Sequence, residues 1–381
     1  MNKAQTENFN SEKDPSREIR ALNRPGPSSV REQTHDTVSY GVFKGMGDLL
    51  SAVPVIISEL NSGVRVILFV FTAVTKLIDL LDFGEYHNNL RVVIFPGNGS
   101  LKSLFRFIAE TSRLAPDFIW ISPHSPAAAR SWRVPIFFWL IKSCFWRHAK
   151  LAGAKSERFS RLFDIRVPVD RRLPLGAREL AAYSSARSVG PRKQPPVKFK
   201  ASIHTFRHLD PEFDVLIHPG ANADNRKWPA AHFIELINML PVSYRVGVVG
   251  LPNDLEAIRS VLPPGGNLRY IVGSLEEAIV SIAKARVLLS MDSGTTFFAM
   301  VLGVPTVALF GPVDPASVFS EGETIYPIYE RKWPCQPCGN SRCSQSSNFC
   351  LTSIEPRRVA AELLLRLQAQ GDGQPISEER R

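Results

Sequence analysis

The sequence predicts an α/β chain of two doubly wound, Rossmann-like domains that face each other across a cleft. Three observations predict it. Apolar, β-branched segments alternate with amphipathic helical ones through both halves, the pattern of a parallel sheet covered on both faces. A stretch rich in Ser, Pro and basic residues, 186–212, divides the halves as a hinge would. A length of 381 residues at 44% hydrophobic is enough for two ordinary globular domains.

The elements follow in order. A disordered polar tail is expected at 1–34, with no apolar core that would make it a secretory signal. The N-terminal domain, 35–190, opens with strand 38–45, helix 48–60 and strand 64–70, and continues through strand 91–97, helix 103–114 and strand 117–122. A linker at 191–212 leads to the C-terminal domain, 213–368, with a second tail at 369–381. There the pattern reads strand 214–220, helix 229–240, strand 244–250, helix 252–262 and strand 268–273. Pro229 suits a first helical position, and Phe233, Leu236, Ile237 and Leu240 share one face. Ser274 and Glu277 form a capping box before the next helix, and strands 285–291 and 304–311 bracket a helix that runs to about Leu302. Two such domains around a cleft give the architecture called GT-B.

Charge and cysteines narrow the setting. From Arg130 to Arg207 there are 18 Lys or Arg against 4 Asp or Glu, a local excess larger than the net +10 of the whole chain. Such a face suits an acidic partner: nucleic acid, an anionic membrane surface or a phosphorylated substrate. No nucleic-acid motif accompanies the charge, so nucleic acid is not expected. The longest apolar runs, 66–74 and 134–141, fall short of the roughly 20 residues of a membrane span, so a soluble or peripheral protein of the cytoplasm is expected. Segment 132–150 mixes aromatic with basic residues, which fits either an interfacial membrane helix or a core helix with basic ends. Cys144 lies in its apolar run and is expected in the core.

Ligands of a doubly wound sheet bind beyond the carboxyl ends of its strands, where "DSGTT", 292–296, passes from strand to helix. The free N–H groups of that helix start, with hydroxyls from Ser293, Thr295 and Thr296, suit a phosphate, and Gly294 permits close approach. The alternative is that Asp292 or Ser293 merely caps the helix.

The segment from Asp292 through "LGVPTVALFGPVDP" resembles the pattern of glycosyltransferase family nine, the family of the lipopolysaccharide heptosyltransferases. "GMGDLLSAVP" (45–54) is similar to that family's amino-terminal glycine-aspartate motif, "HPGANADNRKWP" (218–229) to its Pro-Gly-Ala…Lys-Arg-Trp-Pro motif, and "CQPCGNSRCSQSSNFCLTSIEP" (335–356) to its cysteine segment. The resemblance spans roughly residues 38–368. It implies an inverting, metal-independent transferase that moves a sugar, heptose among the candidates, from a nucleotide diphosphate donor to a lipopolysaccharide or other envelope glycan acceptor. Inversion needs a base for the acceptor hydroxyl and cations for the departing diphosphate. Asp48 is the candidate base, with N-cap of helix 48–60 as its other reading. Gly47, Asn222, Arg226, Lys227, Asp292, Ser293, Gly294, Thr295 and Thr296 are the candidate substrate contacts. Trp228 is expected to pack.

Two departures from the family pattern stand out. Arg226-Lys227 reverses the family's Lys-Arg, and a guanidinium grips phosphate as a fork where an ammonium acts as a point charge. Phe297 stands where the motif has histidine, which loses a polar contact and leaves the donor sugar open. A nucleotide-sugar epimerase of the same fold and a catalytically silent nucleotide-sugar or glycan-binding module are the alternatives. Cys335, Cys338, Cys343 and Cys350 are close enough in sequence for a structural zinc, with plain thiols or disulfides as the other option, and catalysis should need no cofactor.

Overall fold

The computed structural model describes residues 36–371 apart from 44, 96–100, 124–132, 158, 190–194, 321–323 and 346–348. The expected tail at 1–34 lies outside the described residues, as do all but the first three residues of the tail expected at 369–381.

The first half runs β1 (Thr37–Val42), α1 (Met46–Asn61), β2 (Arg65–Val70), α2 (Thr75–Leu80), β3 (Leu90–Ile94), α3 (Leu101–Thr111), β4 (Phe118–Ile121), α4 (Arg133–Cys144), β5 (Lys150–Ala154), β6 (Ile165–Val167) and α5 (Leu175–Arg187). The second runs β7 (Phe213–His218), α6 (Ala230–Met239), β8 (Val246–Val249), α7 (Pro252–Arg259), β9 (Leu268–Ile271), α8 (Leu275–Ala283), β10 (Ala285–Met291), α9 (Gly294–Leu302), β11 (Thr306–Phe310), β12 (Ile325–Tyr329) and α10 (Pro356–Gly371). Each half forms one parallel six-stranded sheet, ordered β3-β2-β1-β4-β5-β6 and β12-β11-β10-β7-β8-β9. Reversed, the second order repeats the first, so both sheets are doubly wound as the sequence predicts.

Strands β2, β10 and β11 are buried over almost all of their length, which is why they read as apolar runs rather than as alternating ones. The capping box before α8 forms in both directions, from Ser274 N–H to the Glu277 carboxylate (2.6 Å) and from Glu277 N–H to Ser274 Oγ (3.2 Å). Pro229 sits one residue earlier than expected, as the N-cap of α6. Helix α4 ends at Cys144, and the rest of segment 132–150 turns into β5. Cys144 is exposed rather than in the core, because the helix is ending there and the Trp146 ring takes the buried position instead.

The stretch that composition marks as a hinge is docked at its middle. Phe199 bridges Leu81, and Lys200 N–H donates to Leu80 O (2.9 Å). Phe199 and Ile203 carry the core of the first sheet's α1–α5 face into that of the second, where Ile279, Ile282 and Phe298 lie, so one apolar cluster joins the two sheets.

Candidate functional site

Both sheets reverse strand order between two adjacent strands, β1 with β4 and β10 with β7, and ligands collect at such points. The loops after β1, β10 and β7 carry the three candidate motifs.

After β1 the chain turns into α1, whose first turn holds Gly47 and Asp48. Asp48 is the third residue of that turn and not the N-cap, which is Gly45; its carboxylate accepts from the Gly45 N–H at 3.2 Å. This bond fixes the carboxylate at the positive end of the helix and leaves it half-buried. Two neighbours on α5 lie within its electrostatic reach. Glu179 is buried and accepts from Tyr40 Oη, from Trp120 Nε1 (2.8 Å) and from Ser122 Oγ (2.8 Å). Burial pushes its carboxyl above the ordinary value, the three donors oppose this, and the Asp48 charge adds to it. Arg178 is also buried, which lowers its pKa, while Asp48 is among the acids that offset the loss. Its Nη2 donates to Arg171 O and Leu173 O (2.8 Å each) and, across the domain boundary, to Ser317 O (3.0 Å).

After β10 the chain enters α9 with Ser293 as N-cap, a cap whose side chain makes no capping bond. The hydroxyls cluster instead: Thr295 Oγ1 lies 2.6 Å from Ser293 Oγ, 2.7 Å from Ser290 Oγ and 3.1 Å from His218 Nδ1. Thr296 departs from the expected cradle. Its side chain is buried and its hydroxyl donates to Met291 O at 2.8 Å, so it closes the turn rather than facing a ligand. Thr295 is buried as well, which leaves Ser293 and Gly294 as the partly exposed members of the stretch.

The loop after β7 supplies cations to two acids. Arg226 Nη1 stands 3.2 Å from Asp292 Oδ2. Burial raises the Asp292 carboxyl above its ordinary value, Arg226 opposes the shift, and Asp48 adds to it, so the two acids of opposite domains sense one another. Lys227 Nζ instead reaches Asp254 Oδ1 at 3.1 Å. Adjacent in sequence, the two cations are held by different carboxylates. A Cβ on Gly220 would lie 2.6 Å from Asp254 Oδ2, so a larger residue there would press on the carboxylate that holds Lys227. Asn222 is exposed, and Trp228 packs as expected, buried with its Nε1 donating to Ile354 O (3.1 Å).

The two glycine-bearing helix starts meet. A Cβ on Gly47 would come within 2.7 Å of the Phe297 ring, and one on Gly294 would lie 3.4 Å from Met46 Cβ. Phe297, buried, also packs on Phe319 at 4.8 Å between ring centroids. The starts of α1 and α9 and Arg226 therefore border one region of the cleft, with Asp48 on its α1 side. Such a site suits a diphosphate on one side and a proton acceptor on the other.

Sequence reasoning did not single out His218, Ser290, Asp254, Arg178 or Glu179. His218 sat inside a quoted motif but read as the end of a strand. Withdrawal from water pushes its imidazole down to about 4, against the pull of Asp254, so it stands neutral beside Thr295. Arg178 and Glu179 lie in a helix with no motif signal at all.

Residues 160–347 match the model of glycosyltransferase family 9 (heptosyltransferase). Lipopolysaccharide heptosyltransferase 1 of Pseudomonas aeruginosa is 29% identical over 168 residues, 39% of this chain and 46% of that protein. Lipopolysaccharide heptosyltransferase 2 of Salmonella typhimurium is 33% identical over 106 residues, 26% of this chain and 30% of that protein. The chain thus spans under half the length of these relatives. Among solved structures, ADP-heptose lipopolysaccharide heptosyltransferase II of E. coli superposes with a TM-score of 0.62 at 18% identity, covering 88% of this chain and 99% of its own. A glycosyltransferase family 9 protein of Veillonella parvula gives 0.65 at 15% identity, covering 88% and 97%. These superpositions show the two-domain GT-B fold.

Proposed function

We propose that the chain is a heptosyltransferase-like member of glycosyltransferase family nine and acts as an inverting, metal-independent glycosyltransferase. In this reading it moves a sugar from a nucleotide diphosphate donor to a lipopolysaccharide or other envelope glycan acceptor, working in the cytoplasm. The observation that carries the reading is the meeting of the two helix starts, with Asp48 on one wall and Ser293, Gly294 and Arg226 on the other. Support for the donor class comes from E. coli heptosyltransferase WaaC, solved with ADP and with ADP-2-deoxy-2-fluoro heptose.

The Asp48 carboxylate takes the proton of an acceptor hydroxyl as that oxygen bonds to the anomeric carbon from the face opposite the diphosphate. The bond from the anomeric carbon to the phosphate oxygen breaks, and the diphosphate leaves with the electron pair. Its charge is met by Arg226, Lys227 and the N–H groups of α9. Heptose is the first sugar to test, although Phe297 places an apolar ring where the family motif has histidine.

The test begins with a thermal-shift screen of nucleotide diphosphate sugars, because a ligand that binds only the folded form raises the melting temperature. Transfer to a lipopolysaccharide acceptor is then measured. Asp48→Asn should lower turnover by about 10²-fold or more with donor affinity unchanged. Full transfer by that variant would place the base elsewhere. The Phe297 ring against Gly47 favours a second reading, a silent binding module; it gains if wild type binds a donor tightly yet transfers it to no envelope acceptor.

A structural zinc at Cys335, Cys338, Cys343 and Cys350 remains a separate proposal. Burial and the neighbouring thiols push Cys350 up to about 11, so Cys335, Cys338 and Cys343 each stand within electrostatic reach of Cys350. Among the described residues, however, no three His, Cys, Asp or Glu side chains are placed to hold a metal, and the mechanism takes no step through one. Elemental analysis of the purified protein should give one zinc per chain if the cysteines close around it, and none if they stay thiols.

A further inference from the structure

Helix α4 is apolar on two sides, and only one is buried. Val134, Phe138 and Ile141 enter the core against the first sheet, beside Phe69 and Phe107. At 100° per residue, Ile136, Trp139 and Leu140 fall on the opposite side. There Trp139 is 39% and Leu140 49% exposed, and just past the helix Phe145 is 51% exposed. On α3, which packs into the same core, Phe105 is 69% exposed. A helix apolar all round belongs in a core, and core packing explains only half of this one.

Basic groups rim the exposed side. Arg147 and Lys150 follow Phe145, and Arg106 and Arg113 stand on and just after α3, all exposed. Among the described acids nearby, Asp164 faces Lys142 (2.8 Å) and Asp117 faces His148 (3.7 Å), which leaves Glu110 on α3. Trp, Phe and Leu ringed by Arg and Lys is the make-up of a surface that lies in the headgroup region of an anionic bilayer. Among the described residues no helix is long and apolar enough to cross a membrane, so contact would be from one side.

We infer that the outer face of α3 and α4 docks the N-terminal domain on an anionic lipid surface. This rests on the proposed function only in that a lipid-linked acceptor would be met there.

The full chain is mixed with vesicles of phosphatidylethanolamine and phosphatidylglycerol, or of phosphatidylcholine alone, and co-sedimentation is followed as salt rises. Binding should favour the anionic vesicles and weaken with salt. Trp139→Ser with Leu140→Ser should weaken it about tenfold or more. Arg147→Gln with Lys150→Gln should cost roughly fivefold per charge. Circular dichroism and melting temperature check that both variants fold. Unchanged binding by the Trp139/Leu140 variant, or equal, salt-independent binding to both vesicles, overturns the inference. So does a dimer in lipid-free solution that the same variant dissociates, because the face then belongs to a second copy. Transfer to a detergent-solubilised acceptor is a separate readout: docking without transfer sinks the function, and transfer without docking sinks this inference alone.

Discussion

Helices α1 and α9 each leave a strand at which their sheet reverses order, and each brings its first turn to the cleft. Within reach of the first turn of α1 are a buried carboxylate and a guanidinium, Glu179 and Arg178. Beside that of α9 are hydroxyls and a neutral imidazole. The backbone device is the same, a positive helix end aimed at a ligand. The surroundings differ, and they divide the labour. Under the proposed mechanism Asp48 and its acidic neighbour make the α1 wall the one that takes protons, whereas the α9 wall, with Arg226 alongside, is the one that meets anions. Fold alone would not have separated these roles.

The largest effect expected from breaking this contrast is at Glu179. Replacing it with Leu leaves Tyr40, Trp120 and Ser122 without their buried acceptor and should cost on the order of 4 kcal/mol in urea unfolding. Glu179→Gln keeps an acceptor and should cost under about 1 kcal/mol. If the two variants unfold alike, the α1 wall does not depend on that network.

His218 sharpens the other side. Its folded value of about 4 lies below the ordinary 6.5, so the folded form binds fewer protons between the two. The stability that His218 supplies is present above 6.5 and is lost as pH falls through about 4, a change of up to about 3 kcal/mol. His218→Asn should flatten that part of the stability–pH curve relative to wild type. Parallel curves would mean that the imidazole is solvated after all.

The smallest effect separates the paired cations. Arg226→Ala should weaken nucleotide diphosphate binding about tenfold in calorimetry, and Lys227→Ala by less, because Asp292 holds Arg226 next to Ser293 and Gly294 whereas Lys227 is held by Asp254. Equal losses would return both residues to a shared role.

Much of the frame was legible before any coordinates. Strand 285–291 and the end of α9 at Leu302 fall where the apolar periods put them, and the Ser274–Glu277 box forms as its spacing predicts. Trp228 packs, and Ser293 caps in position if not with its hydroxyl. Where the reading failed, the cause was the place at which a helix starts or stops. Thr296 reads as a donor beside Ser293 and Thr295, yet its position on α9 turns it inward to Met291 O. Cys144 reads as core from the apolar letters around it, but the helix stops there.

By itself the sequence determined two doubly wound domains, the strand ends at which ligands gather, and the motifs that sit there. Each of these follows from the period of one short segment, or from a cap or turn within it. Only the tertiary structure decided that Glu179 lies buried near Asp48, that His218 meets Thr295 from 77 positions away, and that Phe297 closes on Gly47. The physical reason is that a segment's periodicity says which face is buried but not what buries it. Its partners are set by which strands become neighbours, and only those neighbours fix a side chain's charge, its hydrogen bonds and the room left for a ligand.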